Sequence, residues 1–345
     1  MQILAKSIRI IDYKNNEIYT RETPESFDEY LRSLIEYVSG NDSVRRYKSR
    51  SLTTEVLVNA LSVKDHYEEN VSEQFDNIAN RLLRTEIEVQ EEVERLNVNV
   101  QKGSLIQALL YIENTDSYEY LLAKVEHTDF IDDADFSSKT GFQKNKNSYW
   151  KSCIINLKQG NETEYYAKVY TQGKVKYWWD SFLELDETRT DQWNTKVAFQ
   201  EMDKVLRTQI KKQKAELDYR LLRNTFVTYM RSPRQINYYE MIDFVLNGYM
   251  AQDLTVGQID KLRASLRDLP YKKNFDGQFN SKPEELNAKL LKTTYKVNSE
   301  IELVTDGSVP DMDSAISAHR DARHGMYLLI ETGNEEVYRT FLQRN

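Results

Sequence analysis

Up to about residue 96 the longer apolar stripes recur every three to four positions, and between 103 and 183 that spacing gives way to alternation. Ser7–Asp12 and Glu17–Thr20, parted by the polar Tyr13-Lys14-Asn15-Asn16, predict a short opening hairpin. Leu31, Leu34, Ile35 and Val38 then form a helical stripe, with Pro24 and a Ser26/Glu29 capping box at its start and Gly40 at its stop. Thr54–Val63 fits a helix or an extended apolar segment equally well. Asn70–Leu96 predicts one long helix, with Val71, Phe75, Ile78, Leu82, Ile87 and Val93 on one side and an acidic, solvated opposite face.

The alternating region predicts two hairpins. Leu105–Ile112 and Tyr118–Val125 flank Glu113-Asn114-Thr115-Asp116; Cys153–Leu157 and Tyr165–Tyr170 flank Lys158-Gln159-Gly160-Asn161, whose Gly-Asn suits a tight reversal. Farther on, Asp191–Tyr229 reads as one long helix or two joined ones, followed by shorter helices at Tyr238–Leu246 and Thr255–Leu266. Lys292–Val297 with Ile301–Val304 predicts another hairpin, Asp306–Ser317 an acidic loop, Met326–Glu331 a strand and Glu335–Leu342 a closing helix. The class implied is α+β: N-terminal helices around a central, mostly antiparallel sheet over residues 1–186, then a helical domain with a small β element over 187–345.

Charge divides the two central hairpins. From Leu105 to Phe136 only Lys124 opposes eight carboxylates, whereas from Ser137 to Asp180 eight lysines face three carboxylates amid Tyr149, Trp150, Tyr165, Tyr166, Tyr170, Tyr177, Trp178 and Trp179. Lysines neutralise phosphates and release counterions, and aromatic rings stack on bases, so this combination suits nucleic acid. A half-buried sheet with a lysine-rich solvent face has the same composition. The largest basic excess lies between Lys204 and Arg234, nine cations against Glu216 and Asp218, and the densest run is Arg45-Arg46-Tyr47-Lys48-Ser49-Arg50, read as a surface loop or a phosphate contact. The whole 345-residue chain nevertheless carries a net charge of −8, so any DNA contact must come from a local patch.

Chemistry finds few carriers. One cysteine, Cys153, excludes an internal disulfide and a cysteine-rich zinc site; with four histidines a transition-metal site is not expected, and neither is a cofactor. His319-Arg320-Asp321 lacks the asparagine and glycine-rich loop of a kinase, and His319 and His324 lie five apart, a poor spacing for two ligands on a helix. Asp129, Asp132, Asp133 and Asp135 beside Lys139 keep a magnesium nuclease open as an alternative. Without a signal-peptide core or an apolar run of about 20 residues, the expectation is a soluble cytoplasmic protein.

Several segments resemble one family. Phe75-x-x-Ile78-Ala79-x-x-Leu82-Leu83, the hairpin from Ser104-Leu105-Ile106-Gln107-Ala108-Leu109-Leu110 to Tyr120-Leu121-Leu122-Ala123-Lys124, Trp179-Asp180-Ser181-Phe182-Leu183 and the Phe279–Leu303 region are similar, in order and apolar spacing, to bacterial nucleoid-associated proteins of the NdpA/YejK type. The resemblance implies a homodimeric protein of the nucleoid that binds double-stranded DNA without chemistry, beside other DNA-handling or antiphage defence proteins. The DNA-contacting set expected from the basic stretches is Arg45, Arg46, Lys48, Arg50, Lys144, Lys146, Lys151, Lys174, Lys176, Lys204, Arg207, Lys211, Lys212, Lys214, Arg220 and Arg223. The rival is an interaction subunit, docking on an acidic partner or mimicking DNA.

Overall fold

The computed structural model describes residues 1–20, 25–93, 100, 103–131, 133–142, 149–157, 163–173, 175–286, 292–305 and 315–342. An antiparallel sheet dominates the first half. Its strands are β1 (Gln2–Asp12), β2 (Glu17–Tyr19), β3 (Arg45–Ser49), β4 (Gly103–Ile112), β5 (Ser117–Ile131), β6 (Ser138–Phe142), β7 (Tyr149–Leu157), β8 (Tyr166–Thr171) and β9 (Leu185–Glu187). They run in the order β2-β1-β4-β5-β7-β8-β3-β9, with β6 paired to the outer end of β5. The α+β class and the strand pairings of both central hairpins are as the patterning predicts; residues 158–161, the second expected reversal, lie outside the described residues.

Both faces of the sheet are covered, which is why β4 reads as a nearly continuous apolar run. On one face α2 (Glu55–His66) and α3 (Ser72–Val93) set Val56, Leu57, Phe75, Ile78 and Leu82 against Leu105, Leu109, Tyr120, Leu122 and Cys153. On the other, α1 (Glu25–Ser39) packs Leu31, Leu34, Ile35 and Val38 against Ile106, Leu110, Leu121, Ala123 and Ile154. Gln107 is the polar exception inside β4, and it is fully satisfied: its amide donates to the Phe75 carbonyl and its carbonyl accepts from Tyr120. Thr54–Val63, ambiguous in sequence, lies almost entirely in α2, because its buried residues fall at 56, 57, 60 and 63, one helical stripe.

The basic run at 45–50 is not a loop. It forms β3, bonded to β8 on one side and β9 on the other. Arg45 and Tyr47 point inward and Arg46 and Lys48 to the opposite face. A guanidinium at one of the inward positions hides the alternation.

The second core is drawn from residues 198–286. It is built by α4 (Asp191–Ile210), α5 (Glu216–Arg231), α6 (Tyr238–Leu246), α7 (Val256–Arg267) and α8 (Leu269–Lys273), with a small ladder of β10 (Gln235–Asn237) and β11 (Gln278–Asn280). The 191–229 stretch is two helices, broken where Lys214 takes a left-handed backbone. Two further hairpins follow, β12 (Thr293–Lys296) with β13 (Glu302–Thr305), and β14 (Ile316–Arg320) with β15 (Met326–Ile330), before a short α9 (Glu335–Phe341). Ile316 and Ser317, expected in a loop, open β14; residues 306–314 of that expected loop lie outside the described residues.

Arg46 and Asp276 join the two cores. The fully buried Asp276 carboxylate accepts from Arg46 Nε at 2.9 Å and Asn194 Nδ2 at 2.9 Å, while Arg46 also donates to Asn274 Oδ1 and the Phe275 carbonyl. Alongside, Gln278 donates to and accepts from the Thr171 backbone, and its own N–H reaches the Val44 carbonyl. Gly277 permits this approach, since a Cβ there would sit 2.2 Å from the Asp42 carbonyl oxygen. Replacing Arg46 by Met strips that carboxylate of its nearest cation and is expected to cost roughly 3 kcal/mol in urea unfolding. Adding Asp276→Asn should recover part of the loss, and an unchanged midpoint for R46M would remove the pair from this role.

Candidate nucleic-acid interface

The predicted basic set separates into three groups. Arg45, Lys151 and Arg223 are buried and bound to carboxylates, so they cannot reach a phosphate. Arg45 pairs with Glu187 at 3.0 Å and Asp191 at 2.9 Å and donates to the Arg189 carbonyl. Arg223 bonds Asp203 at 2.7 Å, and Lys151 lies 3.7 Å from Glu126.

A second group is exposed or half-buried but neutralised. Arg46 is held by Asp276; Lys48 pairs with Glu164 at 3.1 Å; Arg50 bridges Asp180 at 2.7 Å and Asp186 at 3.2 Å; Lys176 also reaches Asp180, at 3.3 Å. Hydrogen bonds to those carboxylates raise the pKa of both Lys48 and Arg50 and lower that of Glu164. Arg207 bonds Asp203, while Lys211 and Arg220 share Glu216 at 3.4 and 3.6 Å. The N-terminal part of the expected DNA surface is therefore a set of local ion pairs across β3, β8, β9 and the Trp178–Phe182 turn. Lys144, Lys146 and Lys174 lie outside the described residues.

The third group is free. Lys204, Lys212 and Lys214 are exposed and form no ion pair among the described residues. Sequence reading missed their companion Lys196, also exposed and unpaired, although Lys196, Gln200, Lys204, Arg207 and Lys211 recur at helical spacing along one face of α4. That stripe spans about 22 Å at a rise of about 1.5 Å per residue. Thr190 caps the helix at its start by accepting from the Trp193 N–H. At its end Lys211, Lys212 and Lys214 gather near the carbonyls that close the helix, a favourable place for cations. Beyond them a groove of about 600 Å³ separates this turn from α7, lined by Lys212, Lys261, Gln209, Gln213, Gln258 and Thr208. It is cationic and rich in side-chain donors.

The other chemical candidates dissolve into structure. Asp135 accepts from the Ser137 N–H and hydroxyl and pairs with Lys139 at 3.2 Å; Asp132 lies outside the described residues, and no three metal-ligating side chains gather among those described. Asp321 ties the β14–β15 turn through the N–H groups of Arg323 and Gly325 and the Tyr327 hydroxyl. Cys153 is fully buried, which pushes its thiol pKa well up. No described helix is long and apolar enough to cross a membrane. Compared with family models, curated proteins and solved structures, the chain matches none.

Lys151 belongs to a buried charge network between α3 and the sheet. Lys124 pairs with Glu86, both fully buried, and Tyr177 donates to the same Glu86 carboxylate. Burial, reinforced by the Lys124 charge, pushes the Lys151 amine down to about 8 against the pull of Glu126 and Glu86. Between pH 8 and 9.5 the unfolded chain then holds more protons than the folded one, so this residue makes stability rise with pH. Relative to Lys151→Met, the wild type should gain up to about 2 kcal/mol across that window in urea unfolding. Parallel pH profiles for the two proteins would overturn the assignment.

Proposed function

We propose that the protein binds double-stranded DNA without catalysing a reaction, holding phosphates on the exposed face of α4 and the turn that follows it. The observation that carries this is the pair Lys196 and Lys204 on the exposed face of α4 with Lys212 and Lys214 in the turn after it, four exposed lysines with no ion pair among the described residues, beside Arg207 and Lys211. Duplex DNA carries one charge per roughly 1.7 Å of axis, so a 22 Å stripe faces many phosphates and reads no base edge. The resemblance to nucleoid-associated proteins read from the sequence agrees with this reading, and on it we infer a place on the bacterial chromosome, alongside DNA-handling or defence proteins.

Self-association, the second reading, draws on β14, β15 and α9. Every residue of β15 is exposed on either face of its hairpin, Met326, Leu329 and Ile330 among them, and α9 separately exposes Tyr338 and Phe341, the last 80% exposed. A lone two-stranded hairpin is marginal in water, and a strand whose apolar residues are all exposed suits an interface. A second copy of this chain supplies the complementary strands under two-fold symmetry.

With four lysines engaged, the logarithm of the duplex binding constant should fall with that of salt at a slope near −4, with little sequence preference. Lys204→Glu, Lys212→Glu and Lys214→Glu together should flatten that slope by about three and abolish binding above moderate salt; an unchanged slope would refute the α4 site. Light scattering should find a dimer that Leu328→Ser with Ile330→Ser converts to monomer. A monomeric wild type would end the second reading.

A further inference from the structure

α1 covers only part of its face of the sheet. Its cluster reaches Ile154 on β7 and the half-buried Tyr170 on β8, and toward the other end of those strands β7, β8 and β3 leave a pocket of about 320 Å³. That size is at the low end of small-ligand clefts and is far too small for a duplex.

The strand register arranges its floor in two rows. Glu119 on β5 pairs across to Asn156 on β7, with Tyr166 of β8 next in line; one step along, Ile154, Lys168 and Arg46 form the second row, with Thr188 and Arg189 past its end. The first row offers two acceptors, Glu119 and Asn156, before the Tyr166 ring, and continues to Lys48, which is paired with Glu164. Asn156 Oδ1 is shielded from bulk water and has no hydrogen-bond partner among the described residues, an arrangement that suits a donor from a ligand. The Glu119 carboxyl lies on the paired residue beside it, its pKa raised by burial and only partly drawn back by Lys168.

The second row is cationic. One carboxylate, Asp276, serves two guanidiniums, Arg46 at 2.9 Å and Arg189 at 3.6 Å. Lys168 adds an exposed ammonium that forms no ion pair among the described residues. Equivalent positions in the two rows lie about 7 Å apart along the strands. Tyr166 gives the first row a flat ring and Ile154 gives the second an apolar position; the Tyr166 hydroxyl is fixed by donating to Glu164 Oε2 while Lys48 holds the other oxygen.

A ligand matching this surface is elongated and flat, with an amine at one end and a multiply charged anion at the other. We propose that the pocket binds a nucleoside monophosphate whose base carries an exocyclic amine, the amine donating to Asn156 and Glu119 and the phosphate meeting Lys168 and Arg189. A primary aromatic amine has two hydrogens for two acceptors, and the planar base lies along Tyr166 and Ile154. A free amino acid has the two charged ends without the flat centre. This site lies across β7, β8 and β3, apart from α4, and its occupancy does not rest on the DNA reading.

Titration calorimetry of the full chain with AMP, CMP, UMP and inorganic phosphate tests it. AMP or CMP should bind at least tenfold tighter than UMP, whose base lacks the amine, and than phosphate alone. Asn156→Leu and the exposed Lys168→Ala should each weaken that binding tenfold or more with an unchanged thermal midpoint, while the triple α4 glutamate variant should bind the nucleotide normally. Absence of heat with every monophosphate at millimolar concentration would overturn the proposal, as would equal affinity for UMP or indifference to both substitutions; loss of DNA binding in the α4 variant alone leaves it standing.

Discussion

Asp276 is a carboxylate that water cannot reach, and the relation between the two halves of the molecule depends on what surrounds it. An isolated buried carboxylate is costly, so it is stable only where donors converge. They come from two places far apart in sequence: Arg46 on β3, and the stretch entering α4, which supplies Arg189 and Asn194. Moving either core by an ångström or two would leave that charge unsatisfied. Gln278, bonded to both sides of Thr171, and Gly277 against Asp42 repeat the constraint with backbone groups.

That junction changes the meaning of the basic residues. Charge counted along the chain treats Arg45 and Arg46 as a positive patch, yet both neutralise carboxylates contributed from 187 to 276. The same holds for Arg50 with Asp180 and Asp186. What survives as positive surface lies on α4, where the nearest acids, Asp203 and Glu216, are already shared among four cations.

Local patterning exposed much of this fold and little of its site. The α1 stripe, the β4–β5 and β7–β8 strand pairs and the helix beginning at Thr255 were legible because each is decided by residues within a few positions of one another. β3 was illegible because its inward residue is an arginine, satisfied by Glu187 and Asp191, which no window around residue 45 contains. Lys196 was overlooked for the opposite reason: it stands outside the dense basic stretch, and only helical geometry brings it into line with Lys204. The Glu119–Asn156 row could not be read at all, since it exists only in the register between β5 and β7.

The placement of β3 also bears on how the molecule is made. β1, β4 and β5 are neighbours that can zip together once about 130 residues have left the ribosome, whereas β3 emerges early and must wait for partners at Val169 and Glu187. At ordinary elongation rates that wait lasts roughly ten seconds or more. Throughout it, a short polar segment dangles from the nascent chain, and its three arginines or lysines flanking Tyr47 discourage the mispairing that an apolar strand would invite. The positive charges that later lock the two cores together thus first serve as gatekeepers during synthesis.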